Sequence, residues 1–110
     1  MMEERGQSLR KGFRTLATVR VAQHVFQVRT LEINPSGIAL AVAANPPVGM
    51  LLELDLSIPV RGGPARVHAK GQVTHSVLSS AEGGFRVGVK FVALDEAARN
   101  AIDTYLHPAG

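Results

Sequence analysis

The sequence predicts a mainly β fold, a six-stranded antiparallel β-barrel with one α-helix at its C-terminal end. The first observation is a period-two alternation of apolar and polar residues in six segments, which are joined at hairpin spacing by turns rich in Gly, Pro, Asn and Ser. The second is a change to helical spacing after Asp95. A sheet that closes on itself hides the edges that otherwise invite aggregation, and this favours a barrel.

The six predicted strands cover residues 15–22, 25–33, 38–44, 51–58, 65–78 and 85–92. The fourth strand alternates most regularly, and its apolar face consists of Leu52, Leu54, Leu56 and Ile58. The fifth strand is the longest, and Gly71 within it predicts a bulge or a sharp bend. Asp95 is predicted to cap a helix whose apolar stripe is Ala98, Ala101, Ile102 and Tyr105.

The N-terminal end is predicted to differ from the barrel in both order and charge. Residues 1–14 have no sustained apolar period and contain two glycines, so we expect a flexible basic arm there and a barrel domain over residues 15–110. Residues 1–30 carry six basic and two acidic side chains, whereas the rest of the chain carries six and seven. A basic segment of this kind attracts an anionic partner, although a solvated tail has the same composition.

Composition excludes several classes of function. The chain has no cysteine, so disulfides and thiolate metal sites are ruled out and a reducing compartment is compatible. No apolar run approaches the roughly 20 residues of a membrane span, and the N-terminus lacks the apolar stretch of a signal peptide. We therefore expect a soluble cytoplasmic protein.

No catalytic or metal-binding arrangement is evident in the sequence. The four histidines show no metal-ligand spacing, and no nucleophile–base or paired-carboxylate constellation can be recognised. We expect neither an enzyme nor a cofactor. One histidine, His75, shares the phase of Val73 and Val77, which predicts a half-buried position or a place at the rim of the barrel.

Two short polar motifs point to a binding function instead. Arg10 and Arg14 place two guanidinium groups four residues apart, and such groups grip phosphate and guanine edges bidentately. Asn34 and Ser36 offer an amide and a hydroxyl just before an apolar strand, and Gly37 permits a close backbone approach. Taken separately, the motifs also fit exposed tail arginines and an ordinary turn.

Taken together and in this order, the two motifs resemble the signature of the PilZ domain family, bacterial receptors for the second messenger cyclic di-GMP. That signature is RxxxR on an N-terminal loop, followed after a strand pair by (D/N)xSxxG at the start of a barrel strand. Arg10 and Arg14 match the first part, and Asn34 and Ser36 match the second. The segment from Gly84 to Leu94, followed by a helix, is similar to the family's closing strand and helix.

The resemblance implies a split barrel of the PilZ type and a cyclic di-GMP site formed by Arg10, Arg14, Asn34, Ser36, Gly37 and Ala39. It also implies an effector protein that receives the signal, in processes such as motility, attachment, polysaccharide synthesis or virulence. Ala39 stands where the family has glycine. Its methyl group costs little if the backbone φ is negative, but it weakens binding if the site needs a positive φ or bare backbone.

Two other functions remain open at this point. A PilZ-like protein-interaction module without a nucleotide, for example in pilus assembly, would use the barrel surface and not the cleft. A basic barrel that binds single-stranded nucleic acid is less favoured, because such barrels stack bases on aromatic side chains and this chain has few.

Overall fold

The computed structural model describes residues 11–108, which form seven antiparallel strands and one α-helix. The strands are β1 (Lys11–Gly12), β2 (Leu16–Val21), β3 (His24–Asn34), β4 (Gly37–Val42), β5 (Leu51–Val60), β6 (Gly63–Ser79) and β7 (Gly84–Leu94). A short 3-10 turn, Ser80–Glu82, joins β6 to β7, and helix α1 covers Glu96–Leu106. Each of the six predicted strands is present, and its ends lie within two residues of the predicted bounds.

The sheet closes on itself. Neighbouring strands follow the order β3, β2, β5, β6, β7 and β4, and β4 pairs again with β3. The predicted mainly β architecture, an antiparallel ring with a C-terminal helix, is therefore confirmed. All pairings are antiparallel, as the hairpin spacing of the turns requires.

The interior of the ring is filled by the apolar faces of the strands. Strand β5 corresponds to the fourth predicted strand, and its predicted apolar face is buried. Leu54 and Ile58 are fully inaccessible to solvent. Ala98, Ala101 and Ile102 of α1 pack on this core, as their helical spacing predicts. The helix begins where expected, because the Asp95 Oδ1 accepts a hydrogen bond from the Ala98 amide at 2.7 Å.

Strand β6 carries two register shifts, one between Lys70 and Gly71 and one between Val73 and His75. The first confirms the irregularity predicted at Gly71. A Cβ atom on Gly71 would lie 2.4 Å from a methyl group of Val89, so glycine permits the close approach of β6 and β7. The second shift ends the shared phase of Val73 and His75, so that Val73 is buried while His75 is exposed.

The predicted N-terminal arm needs a correction over residues 11–14, because they are part of the barrel. Lys11 and Gly12 pair with Ile33 and Glu32 of β3, and Phe13 is buried in the core. Burial of an aromatic ring stabilises a fold by about 1.5–3 kcal/mol, which explains why this segment is docked on the sheet. Residues 1–10, and Arg10 with them, lie outside the described part of the chain.

Two side chains hold this docked segment in place. The hydroxyl of Thr30, which is completely buried, accepts a hydrogen bond from the Thr15 amide at 2.9 Å and donates one to the Phe13 carbonyl. Tyr105 of α1 packs edge-on against Phe13, and its hydroxyl donates to the Gly12 carbonyl at 2.8 Å. Partial burial raises the pKa of Tyr105 above its ordinary value, because desolvation disfavours the phenolate.

The only helix in residues 11–108 other than a single 3-10 turn is α1, and it is neither long nor apolar enough to cross a lipid bilayer.

Candidate functional site

An open cleft of about 280 Å³ lies on the outer side of the barrel. The β3–β4 turn, β4, β7 and the register shift of β6 between Val73 and His75 meet there. Four of the six predicted site residues line it, namely Asn34, Ser36, Gly37 and Ala39. Residues from strands distant in sequence complete the wall, namely Glu32, Ile38, Thr74, His75, Arg86, Gly88, Val89 and Lys90. The second sequence motif therefore belongs to a concave surface, as a ligand site requires.

The turn at the end of the cleft is built by Asn34. Its Oδ1 atom accepts hydrogen bonds from the amides of Ser36 at 2.7 Å and Gly37 at 2.8 Å. An Asn side chain that bonds its own backbone two residues on forms an Asx turn. The side-chain carbonyl oxygen of Asn34 is therefore occupied by these two hydrogen bonds. The group that Asn34 can offer to a ligand is its side-chain NH₂.

Gly37 is required by packing and not by an unusual backbone angle. A Cβ atom at this position would lie only 2.2 Å from the carbonyl oxygen of Val89. That oxygen belongs to the backbone of β7 and cannot swing aside, so a side chain here would force β4 and β7 apart. Gly37 thereby keeps the two strands in contact beneath the cleft.

Ala39 has an ordinary strand backbone. It pairs with Glu32 on one side and Gly88 on the other, and Ala22 is the only non-glycine residue in 11–108 with a positive φ. The methyl group of Ala39 therefore causes no backbone strain where the family has glycine. Gly37 and Ala39 give this part of the cleft a shallow floor without bulky side chains.

Two cationic side chains stand on β7 beside this floor. Arg86 donates a charge-assisted hydrogen bond to the Glu32 carboxylate across the cleft. Lys90 is exposed at the rim and has no carboxylate partner within residues 11–108. Neither was predicted as a site residue from the sequence, because both occupy the polar phase of a strand and such a phase normally faces solvent. The alternation Arg86, Gly88, Lys90 was the available signal, since glycine between two cations leaves a gap.

His75 and Thr74 come from the bulge of β6. The Thr74 hydroxyl donates to the Gly88 carbonyl at 3.1 Å and lies 3.1 Å from His75 Nδ1. The His75 ring lies directly over Gly88, since a Cβ there would be 2.1 Å from the ring's Cε1 atom. The bulge thus brings an imidazole onto the cleft floor.

Neither predicted arginine is among the residues that line the cleft in the described part of the chain. Arg14 is exposed and its guanidinium lies 3.5 Å from the Glu82 carboxylate in the turn between β6 and β7. Arg10 lies outside the described residues. It is joined by one peptide bond to Lys11, whose register partner Ile33 is the neighbour of Asn34. Residues 11–108 contain no group of three or more His, Asp or Glu side chains that could hold a metal ion.

Comparison with known families agrees with this geometry. The PilZ domain family model matches residues 4–107. The chain therefore belongs to the PilZ domain family, whose members are receptor or adaptor modules rather than enzymes. No curated protein matches the chain.

Among solved structures, the barrel is similar to the inhibitor of motility (MotI/DgrA) of Bacillus subtilis. The TM-score is 0.80 at 13% sequence identity, and the match covers 88% of this chain and 47% of that one. This chain thus spans about half the length of that protein. At such low identity the likeness shows a shared fold.

Proposed function

We propose that this protein is a cyclic di-GMP receptor of the cytoplasm, which relays the level of the second messenger to an effector protein. The observation that carries the proposal is the convergence of Asn34, Ser36, Gly37 and Ala39 on one cleft whose rim carries Lys90. Asn34 and Ser36 match the second half of the family signature, and Ala39 stands at its last position.

The chemistry of the cleft suits a guanine dinucleotide. Cyclic di-GMP has two phosphates and two guanines, so it needs cations for the former and flat surfaces or hydrogen bonds for the latter. Lys90 supplies a charge at the rim, the floor accepts the face of a base, and the Asn34 amide and Ser36 hydroxyl supply polar contacts. The described cleft is small for such a ligand, so the RxxxR segment would cover the remainder.

The two arginines would close the site. Arg10 directly precedes β1 in sequence, and the first residue of β1, Lys11, pairs with Ile33 beside Asn34. Arg14 would exchange the Glu82 carboxylate for a ligand phosphate or guanine. That exchange costs little, because an exposed ion pair contributes only about 0–1 kcal/mol.

The relay would follow from this closure. A ligand that holds the RxxxR segment against the cleft creates a composite surface, and a partner protein that recognises this surface receives the signal. The structurally similar protein MotI/DgrA is named an inhibitor of motility. Motility is therefore one of the outputs to be tested, together with attachment, polysaccharide synthesis and virulence.

Isothermal titration calorimetry with cyclic di-GMP, and with GTP as the control ligand, tests the proposal. The parent protein should release heat with cyclic di-GMP only, and Arg14→Ala should abolish it. Arg66→Ala is the matched control, since Arg66 is an exposed arginine on β6 that lines no part of the cleft, and it should bind like the parent.

A parent protein that gives no heat with cyclic di-GMP would contradict the proposal and favour the nucleotide-free interaction module. Equal affinities of Arg14→Ala and the parent would remove Arg14 from the site while leaving the ligand assignment in place.

A further inference from the structure

The imidazole of His75 is presented to the cleft by an irregularity in β6 and not by regular alternation. The register shift between Val73 and His75 turns the histidine outward while its neighbour Val73 stays in the core. Bulges of this kind re-aim one side chain and are common next to functional sites. No motif of the sequence includes this residue.

Thr74 fixes which ring nitrogen carries the proton. A hydroxyl group has one hydrogen, and a carbonyl oxygen can only accept, so the Thr74 hydrogen points to the Gly88 carbonyl. The contact between Thr74 Oγ1 and His75 Nδ1 must then be donated by Nδ1–H. Neutral His75 is thereby held in the Nδ1–H tautomer, and its Nε2 atom is an acceptor that remains available to a ligand.

Gly88 makes room for the ring. A Cβ atom at Gly88 would lie 2.1 Å from His75 Cε1 and 2.6 Å from Nε2. Gly88 has no positive φ, so an alanine there fits the backbone, and the mobile end of the histidine side chain is what would have to move. Glycine at this position therefore serves the placement of the imidazole.

We propose that His75 is a specificity-determining residue of the cleft, whose Nε2 atom accepts a hydrogen bond from the donor edge of a guanine, N1–H or the 2-amino group. This inference rests on the proposed function and adds a further contact to it. Arginine reads the acceptors O6 and N7 of guanine. A neutral imidazole acceptor on the opposite edge would complete the recognition.

Calorimetric titrations of four single variants with cyclic di-GMP test the role. His75→Ala and His75→Phe should each weaken binding about tenfold, because both lose the acceptor although phenylalanine keeps a flat ring. His75→Gln should stay within about threefold of the parent, because its Oε1 atom replaces the acceptor. His68→Ala, which removes a histidine that does not line the cleft, should bind like the parent.

The Gly88 position supplies a second test through a double-mutant cycle. Gly88→Ala should weaken binding about as much as His75→Ala, because the added methyl group displaces the ring. The double variant should be no weaker than His75→Ala alone, since the ring is then already absent. Losses that multiply would overturn the assignment of Gly88 as a support for His75.

A spectroscopic measurement tests the anchoring without any ligand. Nitrogen-15 NMR of the imidazoles should show His75 as the Nδ1–H tautomer, and Thr74→Val should shift it toward Nε2–H. A parent protein that already has the Nε2–H tautomer would overturn the role of Thr74.

The outcomes also separate this inference from the proposed function. No heat from the parent with cyclic di-GMP removes the proposed function and the role of His75 with it. A parent that binds while His75→Ala and His75→Phe bind equally well removes only the role of His75. A His75→Phe variant with parental affinity, beside a weak His75→Ala, would assign the contact to the ring face and contradict the role of Nε2.

Discussion

Two outer faces of the barrel carry charged side chains in different surroundings. On β2, β5 and β6, which we call the ion-pair face, Arg20 lies 3.3 Å from Glu53 and 3.7 Å from Asp55. His68 lies between the same two carboxylates, at 3.6 Å and 2.8 Å. On β3, β4 and β7, which we call the cleft face, Lys90 has no such partner within residues 11–108, and small residues leave a hollow beside it.

The difference teaches which charges are available to a ligand. Arg20 and His68 on the ion-pair face are held by neighbouring carboxylates, and exposed pairs of this kind add only about 0–1 kcal/mol each to stability. The cleft face gives up side-chain volume at Gly37, Ala39 and Gly88 and keeps an exposed cation. A surface that gives up side-chain volume beside a cation unpaired within residues 11–108 is what the proposed binding of an anionic ligand requires.

The largest expected effect concerns the packing beneath the cleft face. Gly37→Ala should destabilise the fold by about 3 kcal/mol or more in urea unfolding, because its Cβ would meet the Val89 carbonyl oxygen at 2.2 Å. Gly12→Ala is the matched control, since a Cβ there meets nothing within 4 Å, and its stability should change by less than about 1 kcal/mol. Equal stabilities of the two variants would contradict the packing role of Gly37.

The next largest effect concerns the buried hydroxyl that docks the segment carrying Arg14. Thr30→Val keeps the shape of the side chain but leaves the Phe13 carbonyl and the Thr15 amide without their partner. The loss should be about 2 kcal/mol in urea unfolding. Arg20→Ala, which breaks up the ion-pair face, should cost less than about 1 kcal/mol, and a reversal of this order would refute the contrast between the two regions.

A binding measurement compares the two faces directly. Lys90→Ala should weaken cyclic di-GMP binding about fivefold at low salt, with a smaller difference at high salt because an exposed charge is screened. Arg20→Ala should leave the dissociation constant unchanged, since its guanidinium is held by Glu53 and Asp55. If Arg20→Ala were the weaker binder, the ion-pair face would be the ligand surface.

The smallest effect is a pH dependence at the helix that supports β1. The folded protein raises the pKa of Tyr105, so it favours the neutral phenol, and this contribution to stability is present below pH about 10 and lost as the pH rises above it. Tyr105→Phe should cost about 1 kcal/mol at pH 8, through the lost bond to Gly12. Between pH 9 and 11, which are about one unit either side of the ordinary tyrosine pKa, the parent should lose more stability than the variant. Parallel pH profiles would contradict this.

Much of the fold was predictable because it depends on local periodicity. The leucines of β5 alternate with polar residues and are buried, Gly71 marks a register shift, and Asp95 caps α1. Strand β1 was not predicted. A pair of residues, Lys11–Gly12, has no alternation to detect, and its pairing depends on the burial of Phe13 and on a bond to Tyr105 at the other end of the chain.

The lining of the candidate site was predictable only where it is continuous in sequence. Asn34, Ser36, Gly37 and Ala39 form one turn and the strand after it, and they do line one cleft. Arg86, Gly88 and Lys90 join them through the pairing of β4 with β7, and the one local signal was the glycine between two cations. The alternation of β6 placed His75 on the same face as Val73. The register shift between Val73 and His75, the second in this strand, puts His75 on the outer face instead.

Chemical-shift mapping on nitrogen-15-labelled protein is the most direct test that the cleft face is the cyclic di-GMP site. On titration with the ligand, the largest amide shifts should fall on Ser36, Gly37, Ala39, Gly88 and Lys90, while the amides of Arg20, Glu53, Asp55 and His68 stay unchanged. The same titration with GTP should leave the chemical shifts of both groups of amides unchanged. Shifts confined to the ion-pair face, or none at all with cyclic di-GMP, would contradict the assignment of the cleft as a second-messenger site.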